Sequence, residues 1–171
     1  MAGIGPEDLQ ALAQELLDAS IWALDTIPTF APGLGGSPER SFVSPGSPAL
    51  DCCDQLTVHV AGVSQLPTGP HTHKDSARKN IVTLVVTATR CVHGLKDDGQ
   101  PPDATDLEAD AAQMNADGWA LWNHLWNLMR SGDLLTLCDE VFWDGLRALT
   151  PSGGCGGWTL TLRAAYEGYE D

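Results

Sequence analysis

Positive charge is scarce in this 171-residue sequence. Nine lysines and arginines stand against 23 aspartates and glutamates, which gives a formal net charge of −14 and an isoelectric point near 4.4. A protein that grips a nucleic-acid backbone needs clustered Lys and Arg to neutralise phosphates, so the composition argues against a broad nucleic-acid-binding face. Two interpretations of the acidity stay open: it keeps the protein soluble, or it forms a surface past which DNA slides without sticking.

Long apolar runs are missing as well. No stretch approaches the ~18 apolar residues of a membrane-spanning helix, and residues 1–10 carry no positive charge of the kind that begins a secretory leader. We therefore expect a cytosolic product with no membrane partner. The five cysteines include no CxxC pair, and we interpret all of them as reduced thiols.

Signatures of common catalytic sites are absent from the sequence. It contains no GxSxG elbow, no GxxxxGK[ST] phosphate loop and no GxGxxG fingerprint. The glycine-rich run 153–157 leads into a strand pattern, so it lacks the helix N-terminus that binds phosphate. We expect no catalysis and no cofactor.

A metal site is the chemistry that histidine and cysteine suggest first. His71 and His73 form one close pair, and His59, His93 and Cys91 are candidates to lie near them. Zinc sites usually present paired ligands at tight spacing on both sides of the site. This sequence offers one such pair, so we expect no metal.

Helical periodicity is the clearest pattern that the sequence does contain. Pro6 marks the start of an amphipathic N-terminal helix, since proline is tolerated in a first turn. A longer helix is predicted from Thr105, whose spacing to Glu108 suits a capping box, to residues 131–132. This helix carries a tryptophan row beside its leucine stripe. The row consists of Trp119, Trp122 and Trp126. We favour a position in the core for these tryptophans, and an intersubunit surface is the alternative.

Strand patterns flank the long helix on both sides. Residues 55–63 and 158–166 alternate apolar and polar side chains, while 80–92 is almost continuously apolar, which is typical of a central strand. Residues 141–149 supply a fourth strand. The predicted fold is a single α+β domain over 1–171, with an N-terminal helix, two β-hairpins and one long helix packed on a mainly antiparallel four-stranded sheet.

Two segments are candidate contact regions. The Pro/Gly-rich arm at 26–50 is expected to hold no regular element and to become ordered against a neighbouring subunit, with a flexible surface loop as the alternative. A long hairpin tip at 65–79 is locally positive in an acidic chain. The side chains expected to touch partners are Phe30 and Phe42 in the arm and His71, His73, Lys74, Arg78 and Lys79 in the tip.

The second half of the chain resembles a group of viral proteins. The run TPSGGCGGWTLTLRAAYEGY, with DCCDQLTVHV and RKNIVTLVVTATRCV before it, is similar to small neck and tail proteins of long-tailed actinobacterial phages. The resemblance extends from Asp51 to the C-terminus and is one of pattern. Head–tail adaptors of this group resemble mostly helical proteins and stoppers resemble small β-barrels, whereas tail terminators look like a mixed α/β domain.

Two hairpins around one long helix match the tail terminators of this group. The resemblance implies a homohexameric ring in the virion, assembled in the host cytoplasm, with no catalysis and no cofactor. The ring would cap the tail tube, contact the tube protein and the head-side connector, and let DNA pass through its lumen without specific binding. Sheet edges and hairpin tips are the expected ring contacts.

Two alternatives remain open. One keeps the phage context and makes the chain another neck or minor tail protein. The other is of a different class, a small metal- or thiol-dependent enzyme that would use His71, His73 and Cys52.

Overall fold

A computed structural model describes residues 5–47, 54–65, 78–96, 99–152 and 154–168. Across these ranges, no helix is long and apolar enough to cross a membrane. The helices are α1 (Pro6–Asp25), the single turn α2 (Ile27–Phe30) and α3 (Ala104–Ser131). The strands are β1 (Arg40–Val43), β2 (Gln55–Gln65), β3 (Arg78–Cys91), β4 (Glu140–Ser152) and β5 (Cys155–Gly168).

The five strands form one mixed sheet in the order β1-β2-β3-β5-β4. β2 pairs with β3 and β4 pairs with β5, both antiparallel, and a long antiparallel pairing of β3 with β5 joins the two halves. β1 lies parallel to β2 at one edge. The central place of β3 confirms what the apolar run 80–92 predicted.

The α+β class is confirmed, whereas the four-stranded sheet is wrong because the arm at 26–50 holds regular structure. Pro28 lies in the first turn of α2, where a missing backbone N–H costs nothing. β1 occupies a proline-free stretch between Pro38 and Pro45 and takes an edge position beside β2. Prolines on both sides of a short run therefore did not prevent it from pairing.

The hydrophobic core lies between one face of the sheet and the helices α1 and α3. Alternate residues of the strands point to this face, as the two-residue period of a strand requires. Each helix contributes a leucine stripe at three- and four-residue spacing. Fully or almost fully buried members include Leu12, Leu16, Leu24, Leu56, Leu84, Leu121, Leu125, Leu160 and Leu162.

Helix α3 begins one residue before the predicted start at Thr105 and ends at Ser131, as predicted. Its N-cap is Asp103, with no side-chain hydrogen bond to the helix, so the capping box predicted from Thr105 and Glu108 is wrong. Pro101 and Pro102 directly precede the N-cap residue, and the helix begins immediately after that residue. Gly132 closes it in the left-handed conformation, with φ of 79°.

A glycine lets α3 lie close against β5. A Cβ atom at Gly118 would stand 2.5 Å from the indole of Trp158, nearer than atoms can pack. The indole Nε1 of Trp158 donates a hydrogen bond of 2.6 Å to the carbonyl oxygen of Met114, one turn earlier on α3. The Trp158 ring thus lies against the helix backbone, and this contact fixes the height of α3 above the sheet.

An ion pair with almost no exposure to solvent connects the centre of the sheet to α3. The Nε of Arg90, on β3, donates to Oδ2 of Asp117 at 2.8 Å, and its Nη2 donates to Oδ1 at 3.0 Å. The Asp117 side chain is only 2% exposed. Burial raises the pKa of Asp117, and its bonds to Arg90 and to Gln113 work in the opposite direction.

The Arg90 guanidinium has two further partners. Nη1 donates to Asp54 at 3.0 Å, and Nη2 also donates to the carbonyl oxygen of Gly36. Burial acts to lower the pKa of Arg90, but the two carboxylates outweigh it, and the pKa is raised. One side chain therefore ties together α3, the entry to β2 and the segment that precedes β1.

The described part of the arm is held by its own chain. Gln113, on α3, exchanges hydrogen bonds with the backbone of Gly35, at 2.8 and 3.3 Å. The backbone N–H and the hydroxyl of Ser37 both donate to Asp25, at the end of α1. These contacts connect the described part of the arm to α1 and α3.

The interpretation of all five cysteines as reduced thiols is wrong, as Cys155 shows. Cys155 forms a disulfide, whereas Cys91 and Cys138 are free. Disulfides depend on which cysteines the fold brings within reach, and spacing along a sequence does not report this. Burial, with the charges of Glu15 and Asp139, raises the pKa of the Cys138 thiol to about 11.

We expect Asp117→Asn to lower the free energy of unfolding by about 1.5–3 kcal/mol, because Arg90 loses its buried carboxylate partner on α3 and keeps only Asp54, which is 40% exposed. The matched control is Asp103→Asn. Asp103 is 67% exposed in its pair with Lys96, and such surface pairs contribute roughly 0–1 kcal/mol. Urea unfolding of both variants measures the difference, and equal losses would contradict the structural role of the Arg90–Asp117 pair.

Candidate interaction surface

Four large aromatic side chains are exposed on the helical layer. Trp22 is 56% exposed, Phe30 48%, Trp119 55% and Trp122 37%. Trp22 lies on α1, Phe30 ends α2, and Trp119 and Trp122 lie on α3. We call these four residues the aromatic surface. Isolated exposed apolar residues are ordinary, whereas a contiguous group of them marks an interaction site.

The rings of this surface contact further aromatic side chains. The Trp22 ring lies 4.1 Å from the imidazole of His124, and the Trp119 and Trp122 centroids are 5.4 Å apart. Trp122 stacks on Trp126 at 6.4 Å, and Trp126 meets Trp143 of β4 edge-on at 5.7 Å. These separations and orientations are favourable for aromatic pairs. The rings therefore form two groups: one pair joins α1 to α3, and a row of four runs along α3 to β4.

Two open grooves flank Trp119. One, of about 490 Å³, lies between α3 and the strands β4 and β5, and Trp122, Trp143 and Trp158 line it with Trp119. The other, of about 520 Å³, lies between α3 and the α1–α2 turn, and Trp22 and Phe30 line it with Trp119. Trp119 is thus a ridge shared by both grooves.

The two grooves carry no formal charge among their described lining residues. Residues 118–129 of α3 contain no Asp, Glu, Lys or Arg. The polar side chains that line the grooves are uncharged amides, hydroxyls and an imidazole, from Asn115, Asn123, Asn127, Thr26, Thr29 and His124. Burial lowers the pKa of His124, which favours the neutral form of this imidazole. An uncharged patch therefore stands out on a chain whose net charge is −14.

The favoured core position of the tryptophan row is wrong for Trp119 and Trp122. Leu121 and Leu125 face the sheet, at 1% and 0% exposure. Trp119 directly follows the core residue Gly118, and Trp122 directly follows the core residue Leu121. A step of one residue rotates the side-chain direction by ~100° around the helix axis. The row therefore lies on the shoulder of α3, and the intersubunit alternative remains.

The sequence-predicted contact residues do not converge. Phe30 belongs to the aromatic surface, but Phe42 lies in β1 with the Arg40 guanidinium 5.8 Å from its ring centre, and it lines neither groove. Lys79 pairs with Glu140 at 3.1 Å. The backbone of Arg78 begins β3, and its side chain, like His71, His73 and Lys74, lies outside the described residues. Among the predicted residues whose side chains the structure describes, Phe30 alone lies on the aromatic surface.

The histidines and cysteines that the structure describes do not form a metal-binding group. His93 contacts Asp110 through Nδ1 at 3.0 Å, whereas His59 is buried in β2 with no partner for its own Nδ1. The remaining members of the enzyme alternative, His71, His73 and Cys52, lie outside the described residues.

Comparison with known proteins assigns no family to this chain. No protein-family model matches it, and no curated protein matches it.

We expect the His124 imidazole to titrate with a pKa below 6.5, because its burial against Trp22 disfavours the charged form. The unfolded chain then binds the proton more tightly, so stability present above pH 6.5 is lost as the pH falls. An NMR titration measures the pKa, with His124→Gln to identify the signal. A pKa at or above 6.5 would show that the imidazole is not shielded from water.

Proposed function

We propose that this chain is a non-enzymatic structural subunit of a phage tail, of the tail-terminator type. In this proposal it forms a homohexameric ring that caps the tail tube and joins it to the head-side connector. The observation that carries the proposal is the aromatic surface. Interface centres are enriched in tryptophan and other aromatics and depleted of charge, and this surface has both properties.

The order of elements supports the same proposal. One long helix, α3, separates two antiparallel strand pairs, β2–β3 and β4–β5. The tail terminators that the sequence resembles look like a mixed domain with this order. The additional strand β1 widens the sheet and leaves the order unchanged.

The sheet edges favour contacts through the helical layer over strand addition. The outer strand β4 has register shifts between Trp143 and Gly145 and between Leu149 and Ser152, and Pro151 lies in the second of these. Bulges and proline on an edge strand hinder pairing with another chain. The opposite edge strand, β1, spans only Arg40–Val43. The ring contacts expected at sheet edges are thus less favourable than contacts at the aromatic surface.

The polar cluster around Arg90 supports a scaffold function. Its guanidinium donates to Asp117, Asp54 and Gly36 of the same chain. Asp117 in turn accepts from Arg90 and from Gln113, at 2.8 Å. Charged groups that are satisfied by one another in this way hold elements in place.

The charge supports the proposed partners and location. A ring of subunits that each carry −14 repels the phosphate backbone, so DNA would pass through the lumen without specific binding. The tube protein and the connector would then meet the two faces of the ring, in the neck of the virion.

Disruption of the reading frame in a phage that encodes this chain tests the proposal. We expect tails that are not joined to heads in electron micrographs, because the ring that connects them would be missing. Supplying the intact chain in trans is the control and should restore joined particles. Normal virions from the disrupted phage would contradict the proposed function.

A further inference from the structure

We infer that the aromatic surface binds a second copy of this chain, so that subunits of the ring meet through the helical layer. This inference rests on the proposed function, which by itself leaves open whether the surface meets another copy, the tube protein or the connector.

Electrostatic repulsion restricts where two copies can touch. Each carries a net charge of −14, and like charges placed opposite one another across an interface cost several kcal/mol. Exposed acidic residues occur on α1, around the start of α3 and along the loop into β4. They include Glu7, Asp18, Asp103, Glu108, Asp133 and Glu140. A contact between copies is therefore most favourable where these carboxylates are absent.

The part of the aromatic surface on α3, Trp119 and Trp122, meets this requirement. Its grooves carry no formal charge on the residues described, and 118–129 is uncharged. The flanking charges on α3 are Asp117, which is neutralised by Arg90, and Arg130. A second copy can thus approach Trp119 and Trp122 without bringing carboxylates together, whereas Trp22 lies one helical turn from the exposed carboxylates of Asp18 and Asp25.

The rim chemistry also suits a partner of the same charge. Asn115, Asn123 and Asn127 border the grooves, and an amide can both donate and accept hydrogen bonds. Such a rim does not require an opposite charge on the partner. A surface built for a basic protein would instead present carboxylates at the rim to steer it.

Salt dependence separates a second copy from an oppositely charged partner. Raising the salt from 0.1 to 1 M shortens the Debye length from ~10 to ~3 Å. For two acidic copies that touch through an uncharged patch, this removes repulsion and retains the contact. We expect the dissociation constant for self-association, measured by analytical ultracentrifugation of the purified full chain, to fall as salt rises.

Two variants locate the contact. Trp119→Ala should raise the dissociation constant on the order of 30-fold or more, since truncating a central interface tryptophan costs ~2 kcal/mol or more. Leu107→Ala is the matched control. Leu107 lies on the same helix at 48% exposure but lines neither groove, so its truncation should leave the constant within about 2-fold. Unfolding midpoints of both variants verify that they fold.

The other outcomes would overturn the inference or assign the aromatic surface to a different partner. A chain that stays monomeric at both salt concentrations, or a Trp119→Ala variant that associates like the parent, overturns the inference, and so does a Leu107→Ala variant that weakens association equally. Tube binding by a monomer that depends on Trp119 would assign the surface to the tube protein. None of those results contradicts the proposed function. That function would be contradicted if heads and tails joined without this chain.

Discussion

The contact between Arg90 and Asp117 is the constraint on which the position of α3 depends. A charge pair with so little solvent exposure tolerates little movement, because any separation leaves an unpaired charge in a poorly solvated site. The same guanidinium reaches Gly36 and Asp54, so the sheet, the long helix and the arm are fixed relative to one another. The Trp158 indole against Gly118 then sets how closely helix and sheet approach.

Fixing α3 in both height and rotation decides what its two flanks do. Leu121 and Leu125 point into the core, and the residues that follow core positions are turned outward, which places Trp119 and Trp122 at the surface. A rotation of ~100° about the helix axis would exchange these roles. The ion pair at Asp117 and the close contact at Gly118 oppose that rotation. The tryptophans are therefore exposed because α3 is anchored at Asp117 and Gly118, the two residues that precede Trp119.

Local patterns predicted most of the regular elements, and non-local contacts account for what they missed. Pro6 at the start of α1, the leucine stripe of α3 and the apolar run of β3 each report their own structure through periodicity. Strand β1 is a short piece whose formation depends on β2, which lies beyond a proline-rich stretch. Likewise, Arg90 and Asp117 are far apart in sequence, and no local signal links them. For Trp119, helical periodicity shows on which side of α3 the residue lies, but it does not show whether other elements of the protein cover that side.

Exposed tryptophans are most useful for assembly when their own chain already holds them. Trp22 lies against His124, and Trp122 is stacked on Trp126, which in turn rests against Trp143. Side chains that are restricted before a partner arrives lose less conformational entropy when they are buried, so more of the burial energy remains for binding. Arg90 and Gly118 anchor the backbone beneath these side chains. Both the side chains and the backbone of the surface are therefore preorganised. A preorganised, uncharged patch lets strongly acidic subunits associate without any compensating positive charge.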